Sequence, residues 1–529
     1  MKKLPLGIQS FREIIEGDYI YIDKTQYIYN LISSAKYYFL SRPRRFGKSL
    51  LMDTISEVFS GDKELFKGLW IYDSDYGFNK HPVIRFDMSN IANETPEILK
   101  KSLLSYLEIC YSAEGFEIKD DVVSDAFRRF IIQLHKKYGQ RVVVLIDEYD
   151  KPILDHINDI TTAEANRMVL RSFYGILKSM DPYLKLTLIT GVSKFTKTSI
   201  FSELNNLLDI TMAKKYVNIC GITIEDLGEC FSEHIDYLSS LEDFKRFNSV
   251  LDEILSWYDG YSWDGKTKLL NPFSLLSFFE QEKFASFWYA SGTPKFHIDL
   301  IKKKPESFLT LKNLEISERV LDNFDIRRME IEPLLFQTGY LTVKEVLPAM
   351  GSTLYRLDMP NLEVREAFNL QIIAELTEKG DVFTETSYRR LHGALETGDL
   401  QKMLDILRGL FASIPYELHV NAEAYCHSIF YAVMNVLGFD VDAEISVSGG
   451  RVDATLELED KVYVMEFKYR DCPSDAGPEE KQKLFTESLE EGMSQIKDKG
   501  YARKYAGSGK TVYRAAFAFL GRDNVEMLL

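Results

Sequence analysis

The chain has 529 residues, 45% of them hydrophobic and 27% charged, with a net charge of −16. That length exceeds what one hydrophobic core supports and calls for about two to four domains. No apolar run reaches the ~18 residues of a membrane span, and so acidic a chain argues against a broad basic face for gripping nucleic acid, though not against a local basic groove. Met1-Lys2-Lys3 is not followed by the apolar stretch of a secretory signal, and Cys110, Cys220, Cys230, Cys426 and Cys472 form no C-x-x-C pair. An odd, scattered set reads as reduced thiols, so a cytoplasmic location with no membrane contact is expected.

The first half alternates strand-like and helix-like segments. Tyr37–Leu40 is a short apolar strand, followed by a loop and a helix to about Phe59. Pro82–Asp87 reads as a second strand, followed by two helical stretches, the later one near Asp121–Tyr138. Arg141–Asp147 is a nearly unbroken β-branched run of the kind found in buried parallel strands. A helix near Ala163–Met180 and another buried strand, Lys185–Thr190, come next. Strands separated by helices predict βαβ units and a parallel sheet.

Between the first strand and its helix lies Arg42-Pro43-Arg44-Arg45-Phe46-Gly47-Lys48-Ser49. It fits the phosphate-binding pattern G-x-x-x-x-G-K-[ST] except at the start, where Arg42 replaces Gly. In such a loop, backbone N–H groups and the helix N-terminus hold phosphate oxygens, the Lys reaches the outer phosphates and the Ser hydroxyl takes Mg²⁺. Arg42, Arg44, Arg45, Phe46, Gly47, Lys48 and Ser49 are therefore expected around a bound nucleotide; Arg44 and Arg45 either touch phosphates or carry charge to a neighbouring surface. Asp147 and Glu148 stand directly after the Val142–Ile146 strand, about a hundred residues further on. This is the Walker B arrangement, with Asp147 expected to hold Mg²⁺ and Glu148 to polarise water, because phosphoryl transfer rests on positioning and charge neutralisation. Thr190 or Ser193, at the end of the next strand, could sense the γ-phosphate; ordinary turn chemistry is the alternative.

From about Ile222 the pattern turns mostly helical and aromatic, and Trp257–Trp263 reads as a packed turn between helices. After residue 400 the order is helix (Ala422–Leu437), strands (Val441–Val447, Val452–Leu458, Val462–Tyr469), helix (Lys481–Lys499) and strand (Val512–Leu520), a small separate α/β domain. Four features stand out in it: Glu423 on a helix, Gly450-Arg451-Val452-Asp453 opening a strand, Glu466-Phe467-Lys468 in the next strand, and Gln495 on the following helix. Period two puts Glu466 and Lys468 on one face of their strand, where Asp453 can meet them. Two carboxylates there suit one or two Mg²⁺ ions, and the Lys can orient water or steady charge on phosphorus. The plainer alternative is an exposed edge strand with a Glu–Lys pair. Lys302-Lys303-Lys304 and the Lys497, Lys499, Arg503, Lys504 group read first as solvated surface.

With both constellations in place, the chain resembles bacterial AAA-ATPase-like proteins with a C-terminal PD-(D/E)XK nuclease-superfamily domain. The strings that carry the resemblance span nearly all of it: Tyr21–Thr25, Ser41–Ser49 (SRPRRFGKS), Leu145–Pro152 (LIDEYDKP), Thr190–Phe195 (TGVSKF), Trp257–Trp263, Asn271–Ser274, Gly450–Asp453, Glu466–Lys468 and Gln495-Ile496. Arginine in place of the first loop Gly is usual in that family. Such proteins tend to show E-x-x-Y-H on the helix of Glu423; here Cys426 replaces the Tyr and His427 is kept. The resemblance implies an α/β fold: an ASCE-type P-loop ATPase domain over 1–221, a mostly helical middle or lid region over 222–400 and a restriction-endonuclease-like domain over 401–529. It implies ATP with Mg²⁺ at the first site, and catalytic roles for Glu423, Asp453, Glu466, Lys468 and Gln495 around Mg²⁺ or Mn²⁺ at the second. The leading expectation is an ATP-dependent nuclease, with DNA ahead of RNA as its partner; some such proteins are suspected of mobile-element or phage-defence work. A nucleotide-controlled sensor or scaffold that binds nucleic acid or protein without cutting is the second reading, which the acidic charge favours, and an ATPase with no nucleic-acid role is the third. ATP-promoted homo-oligomerisation is expected because P-loop ATPases often borrow an arginine from a neighbouring subunit; no arginine stands out for that role, though Arg167 and Arg171 lie on the helix after Asp147-Glu148.

Overall fold

Strands whose residues are buried on both faces need helices on both sides, and two strands of the first half meet that condition throughout: β1 (Tyr37–Ser41) and β3 (Val142–Asp147). They belong to a five-stranded parallel sheet with β2 (Val83–Asp87), β4 (Leu184–Gly191) and β5 (Leu208–Asp209), in the order β2-β3-β4-β1-β5. The computed structural model describes residues 1–194, 200–201, 204, 206–290, 314–321, 330–349, 352–377, 379–411, 432–434, 440–444, 451–458, 460–470, 472, 476–498, 509–520 and 524–529. Strand β4 therefore separates the strand that leads into the loop from the strand that ends in Asp147. Helix Lys48–Ser60 follows the loop, and Pro96–Ala113, Val123–Tyr138 and Ile160–Ser179 are long helices between the strands of this sheet. Phe127 stacks on Phe173 at 4.8 Å, and both meet Phe86 of β2 edge-on.

The chain groups into two units, Met1–Phe296 with Asn313–Glu363, and His297–Lys312 with Val364–Leu529. This grouping departs from the three consecutive segments expected at 221/222 and 400/401. Ile20, near the N-terminus, and Ile222, Leu227, Phe231 and Phe278, beyond residue 221, share one buried apolar cluster, so that position lies inside a core. Helix Leu400–Phe411 belongs with the C-terminal unit, where Arg408 reaches the carbonyl of Val525 (2.9 Å) and the carboxylate of Glu526 (2.8 Å). The middle of the chain is mostly helical and also carries a three-stranded antiparallel sheet, β6 (Leu314–Ser317), β8 (Ser352–Asp358) and β7 (Thr342–Ala349), in that order.

The second unit is built on β9 (Asp440–Glu444), β10 (Arg451–Glu457), β11 (Lys461–Arg470), β12 (Thr511–Leu520) and β13 (Asn524–Leu528), in the order β13-β12-β11-β10-β9. Strands β9, β10 and β11 are antiparallel neighbours, whereas β11 and β12 are parallel and are bridged by helix Pro478–Asp498. The parallel pair is held by register-matched aromatics: Tyr463 stacks on Tyr513 at 4.9 Å and Phe467 on Phe517 at 5.0 Å. Strand β13 was not expected from the sequence. Of the expected helix 422–437, only 432–434 fall among the described residues.

Candidate functional site

The first site forms where β1 turns into its helix. Arg45 and Gly47 both take positive φ, 64° and 89°, which bends the chain around a hollow before the helix begins at Lys48. A Cβ at Gly47 would meet nothing within 4 Å, so glycine is favoured there by backbone conformation, not by lack of space. Arg44, Arg45, Gly47, Lys48, Ser49 and Glu148 line a cavity of about 410 Å³. Lys48 folds over the loop and donates to the carbonyls of Arg42 and Pro43, at 2.9 Å each.

Arg42 departs from expectation. Its guanidinium is fully buried and turned into the protein, donating to the carbonyls of Ser41 and Thr211 (2.9 Å each) and of Tyr216 and Val217 (3.4 Å each). It lies 3.9 Å over the ring of Trp263. Burial lowers its pKa to about 10. The side chain clamps the base of the loop and does not reach the hollow. Phe46 is also buried, with its ring edge-on to Tyr261 and Trp263. Arg45 lies over Phe273 at 4.7 Å, and the backbone carbonyl of Arg44 accepts from the indole of Trp288 at 3.2 Å. The expected turn Trp257–Trp263 thus packs against the loop itself.

Asp147 is the hub of this site. Its carboxylate accepts from Ser49 Oγ (2.7 Å), Thr190 Oγ1 (2.5 Å) and the backbone N–H of Glu148 (3.0 Å). The loop helix, β3 and β4 meet at this one group. Glu148 takes a positive φ of 51°. Burial raises its carboxyl above the usual range; Lys48 opposes the rise, and Asp147 adds to it. Ser193, a candidate phosphate sensor, instead gives its hydroxyl (2.5 Å) and N–H (2.6 Å) to Asp150, which also accepts the N–H of Val192 at 3.1 Å. Asp150 is 1% exposed and was missed by the sequence reading. Gly191 permits this join, because a Cβ there would fall 2.5 Å from the Tyr149 ring and 2.6 Å from Asp150 Oδ1. Arg167 donates to Glu164 one helical turn away, at 2.5 Å.

The second site lies on β11, which has β10 on one side and β12 on the other and is therefore no edge strand. Glu466 and Lys468 are buried, 1% and 8% exposed. The antiparallel register sets Asp453 opposite Glu466, and directly opposed positions share a sheet face. Lys468 Nζ donates to Gln495 Oε1 at 2.6 Å and lies 3.7 Å from Glu466 Oε1. Helix Pro478–Asp498 sits close here because residue 492 is Gly; a Cβ there would stand 3.0 Å from Ala516 Cβ and 3.6 Å from Glu466 Cγ. Glu491 joins the group, 3.2 Å from Lys468 Nζ and 3.0 Å from Arg470, and accepts from Gln495 Nε2 at 3.3 Å. The sequence reading missed Glu491, although its i,i+4 spacing to Gln495 signals a shared helix face. Burial alone would raise the Glu491 carboxyl; Lys468 and Arg470 outweigh it and hold the group low. Glu423, Cys426, His427, Gly450, Phe195, Lys302–Lys304, Lys499, Arg503 and Lys504 lie outside the described residues.

A parallel sheet with a lysine-capped loop facing an acidic strand end, joined in one chain to a sheet with a buried Glu–Lys strand, defines an ATPase-like protein with a nuclease-like domain. Residues 5–201 match the family described as predicted AAA-ATPase, and residues 421–527 match the PD-(D/E)XK nuclease superfamily. An Azotobacter chroococcum mcd 1 protein described as "Uncharacterized protein in vnfD 5'region" is 36% identical over 530 residues, covering 99% of this chain and 97% of that protein. The chain belongs to this bacterial family of AAA-ATPase-like proteins with a C-terminal PD-(D/E)XK domain. Among solved structures, a chain of the Drosophila ORC bound to GC-rich DNA and Cdc6 aligns over 78% of this chain and 61% of its own length, less than two thirds. Its identity is 9% and its TM-score 0.21, too low to carry an argument. Among the described residues no helix is long and apolar enough to cross a membrane.

Proposed function

We propose that the first unit binds and hydrolyses ATP and that the second cleaves phosphodiester bonds in nucleic acid, DNA ahead of RNA. The observation that carries the ATPase half is Asp147, joined to Ser49 of the loop and Thr190 of β4. A serine hydroxyl and a carboxylate 2.7 Å apart are hard oxygen donors that fit Mg²⁺. Glu466, with Asp453 opposite in register, offers the same donor chemistry for Mg²⁺ or Mn²⁺ in the second unit. A bound divalent cation supplies charge neutralisation on phosphate oxygens at both places.

The remaining work falls to the chain's own groups. Lys48 exchanges two loop carbonyls for the outer phosphates. Glu148, its pKa raised by burial, orients and deprotonates water. Thr190 acts through Asp147 and holds the carboxylate's second oxygen. In the second unit, Lys468 steadies charge on the scissile phosphate, Gln495 orients Lys468, and Glu423 completes the acidic set. The proposed setting is cytoplasmic, with ATP-promoted self-association, and mobile-element or phage defence is the proposed role. Cleavage of a DNA and RNA panel with Mg²⁺ or Mn²⁺, with and without ATP, tests the whole reading; intact Lys468→Ala protein that cuts as well as the parent would sink the nuclease half. The net charge of −16 favours the alternative, a nucleotide-controlled sensor or scaffold that binds without cutting. Retained nucleic-acid binding with no cleavage under any metal would select it.

A further inference from the structure

Helix Pro478–Asp498 presents two polar residues one turn apart, Glu491 and Gln495, on either side of the close approach at Gly492. Both meet Lys468. Gln495 accepts from its ammonium at 2.6 Å, Glu491 lies 3.2 Å away, and Gln495 Nε2 closes the triangle onto Glu491 at 3.3 Å. The other oxygen of Glu491 is held by Arg470 at 3.0 Å, two residues along the same strand. Glu466, Lys468 and Arg470 fall at i, i+2 and i+4 and so share one strand face.

The chemistry of this cluster is unequal. Lys468 is a flexible point charge whose four-carbon stem does not fix its direction. Gln495 supplies one neutral acceptor. Glu491 supplies a charged acceptor whose own direction is set by two further donors, Arg470 and Gln495. A lysine that must meet a phosphate beside Glu466 needs such a fixed counter-charge behind it, because small misplacements of a catalytic group are costly.

We propose that Glu491 is a positioning residue: with Arg470 as its anchor, it holds the Lys468 ammonium beside Glu466 in the cleavage site. This rests on the nuclease reading above for its catalytic meaning, but the placement of Lys468 can be tested without cleavage. The probe is acetic anhydride, with acylation of Lys468 followed by peptide mass spectrometry on the full chain and exposed Lys497 as the internal reference. Glu491→Ala should raise the Lys468 acylation rate about threefold, the scale of a half-exposed ion pair, and Glu491→Gln, which keeps an oxygen acceptor, should fall between. An unchanged rate in Glu491→Ala overturns the proposal. On a substrate that the parent cuts, Glu491→Ala should lower kcat about tenfold with KM changed less than about twofold, and Glu491→Gln should recover most of the loss. Parent-like kcat in Glu491→Ala also overturns the proposal, and so does Glu491→Gln as dead as Asp453→Ala, which would make Glu491 a metal ligand. A parent chain that cuts nothing sinks the nuclease reading, and the acylation rate then decides the placing of Lys468 alone.

Discussion

The two sites satisfy their charges in opposite ways. Around β3 the charged groups are held mainly by neutral partners: Asp147 accepts from two hydroxyls and a backbone N–H, Asp150 from two N–H groups and a hydroxyl, and Lys48 caps two carbonyls. Around β11 charges are held largely by other charges, with Lys468 between Glu466 and Glu491, and Glu491 shared with Arg470, while neutral Gln495 bonds both Lys468 and Glu491. Neutral donors, half of them backbone N–H groups and half short hydroxyl side chains, hold one arrangement with little dependence on salt. A network of side-chain ions rearranges when a cation or a phosphate enters, and its outer, half-exposed members weaken with salt. The first site is set by its fold; the second is set by its charge balance.

The largest effect should come from unbalancing the second site. Removing the ammonium in Lys468→Ala should cut cleavage by about a thousandfold, with nucleotide binding unchanged in calorimetry. Next in size is the first site's mobile charge. Lys48→Ala should weaken ATP binding by about 10- to 100-fold, the worth of a charged hydrogen bond, and calorimetry giving parent-like affinity would refute the ATP reading.

The backbone cradle of Asp150 predicts a stability effect instead. Asp150→Ala strands the N–H groups of Val192 and Ser193 and the Ser193 hydroxyl in a buried place. A loss of about 3 kcal/mol in urea unfolding is expected, with Asp150→Asn, which keeps one acceptor, losing less. Glu363 sharpens the same point through pH. Its carboxylate accepts from the backbone N–H of Trp288 (2.8 Å) and from Ser274 Oγ (2.9 Å), and Trp288 in turn donates to the loop carbonyl of Arg44. Burial raises the Glu363 pKa to about 7, against those hydrogen bonds. The folded state therefore binds the proton more tightly than the unfolded one. That advantage is complete below the unfolded pKa, about 4.3, and is lost as pH rises through about 7, a decline of about 4 kcal/mol. Glu363→Gln should flatten the curve in that window.

How much of this was legible follows from how local each signal is. Gly47-Lys48-Ser49 and Asp147-Glu148 stood out as expectations because each motif is local, one to a single loop and the other to a single strand end. The alternation of buried strands and helices gave the parallel sheet for the same reason. Arg42 was misread because its fate depends on the carbonyls of Thr211, Tyr216 and Val217 and on the Trp263 ring, none of them near it in sequence. Strand β13 was missed because Asn524–Leu528 is short, and only its pairing with Ala516–Leu520 makes it a strand. The division at 221 rested on a change in composition, which marks a change of element, whereas the buried cluster that includes Ile20, Ile222 and Phe278 is assembled by contacts remote in sequence.

The smallest effect is the most discriminating. Gly492→Ala adds one methyl, 3.0 Å from Ala516 Cβ and 3.6 Å from Glu466 Cγ, which is tight but not impassable. The helix must lift by a few tenths of an ångström. Crowding costs about 1 kcal/mol, and the better helix propensity of Ala returns about as much, so the urea midpoint should hardly move. Yet the lift carries Glu491 and Gln495 away from Lys468. If the second site depends on charge geometry, kcat should fall about three- to tenfold with no loss of stability, and high salt should deepen the defect. An equivalent test at the first site gives the opposite pattern: Gly191→Ala drives a Cβ to 2.5 Å from the Tyr149 ring, and there stability and nucleotide binding should be lost together. Equal stability losses at the two glycines would erase the distinction between a site set by fold and a site set by charge.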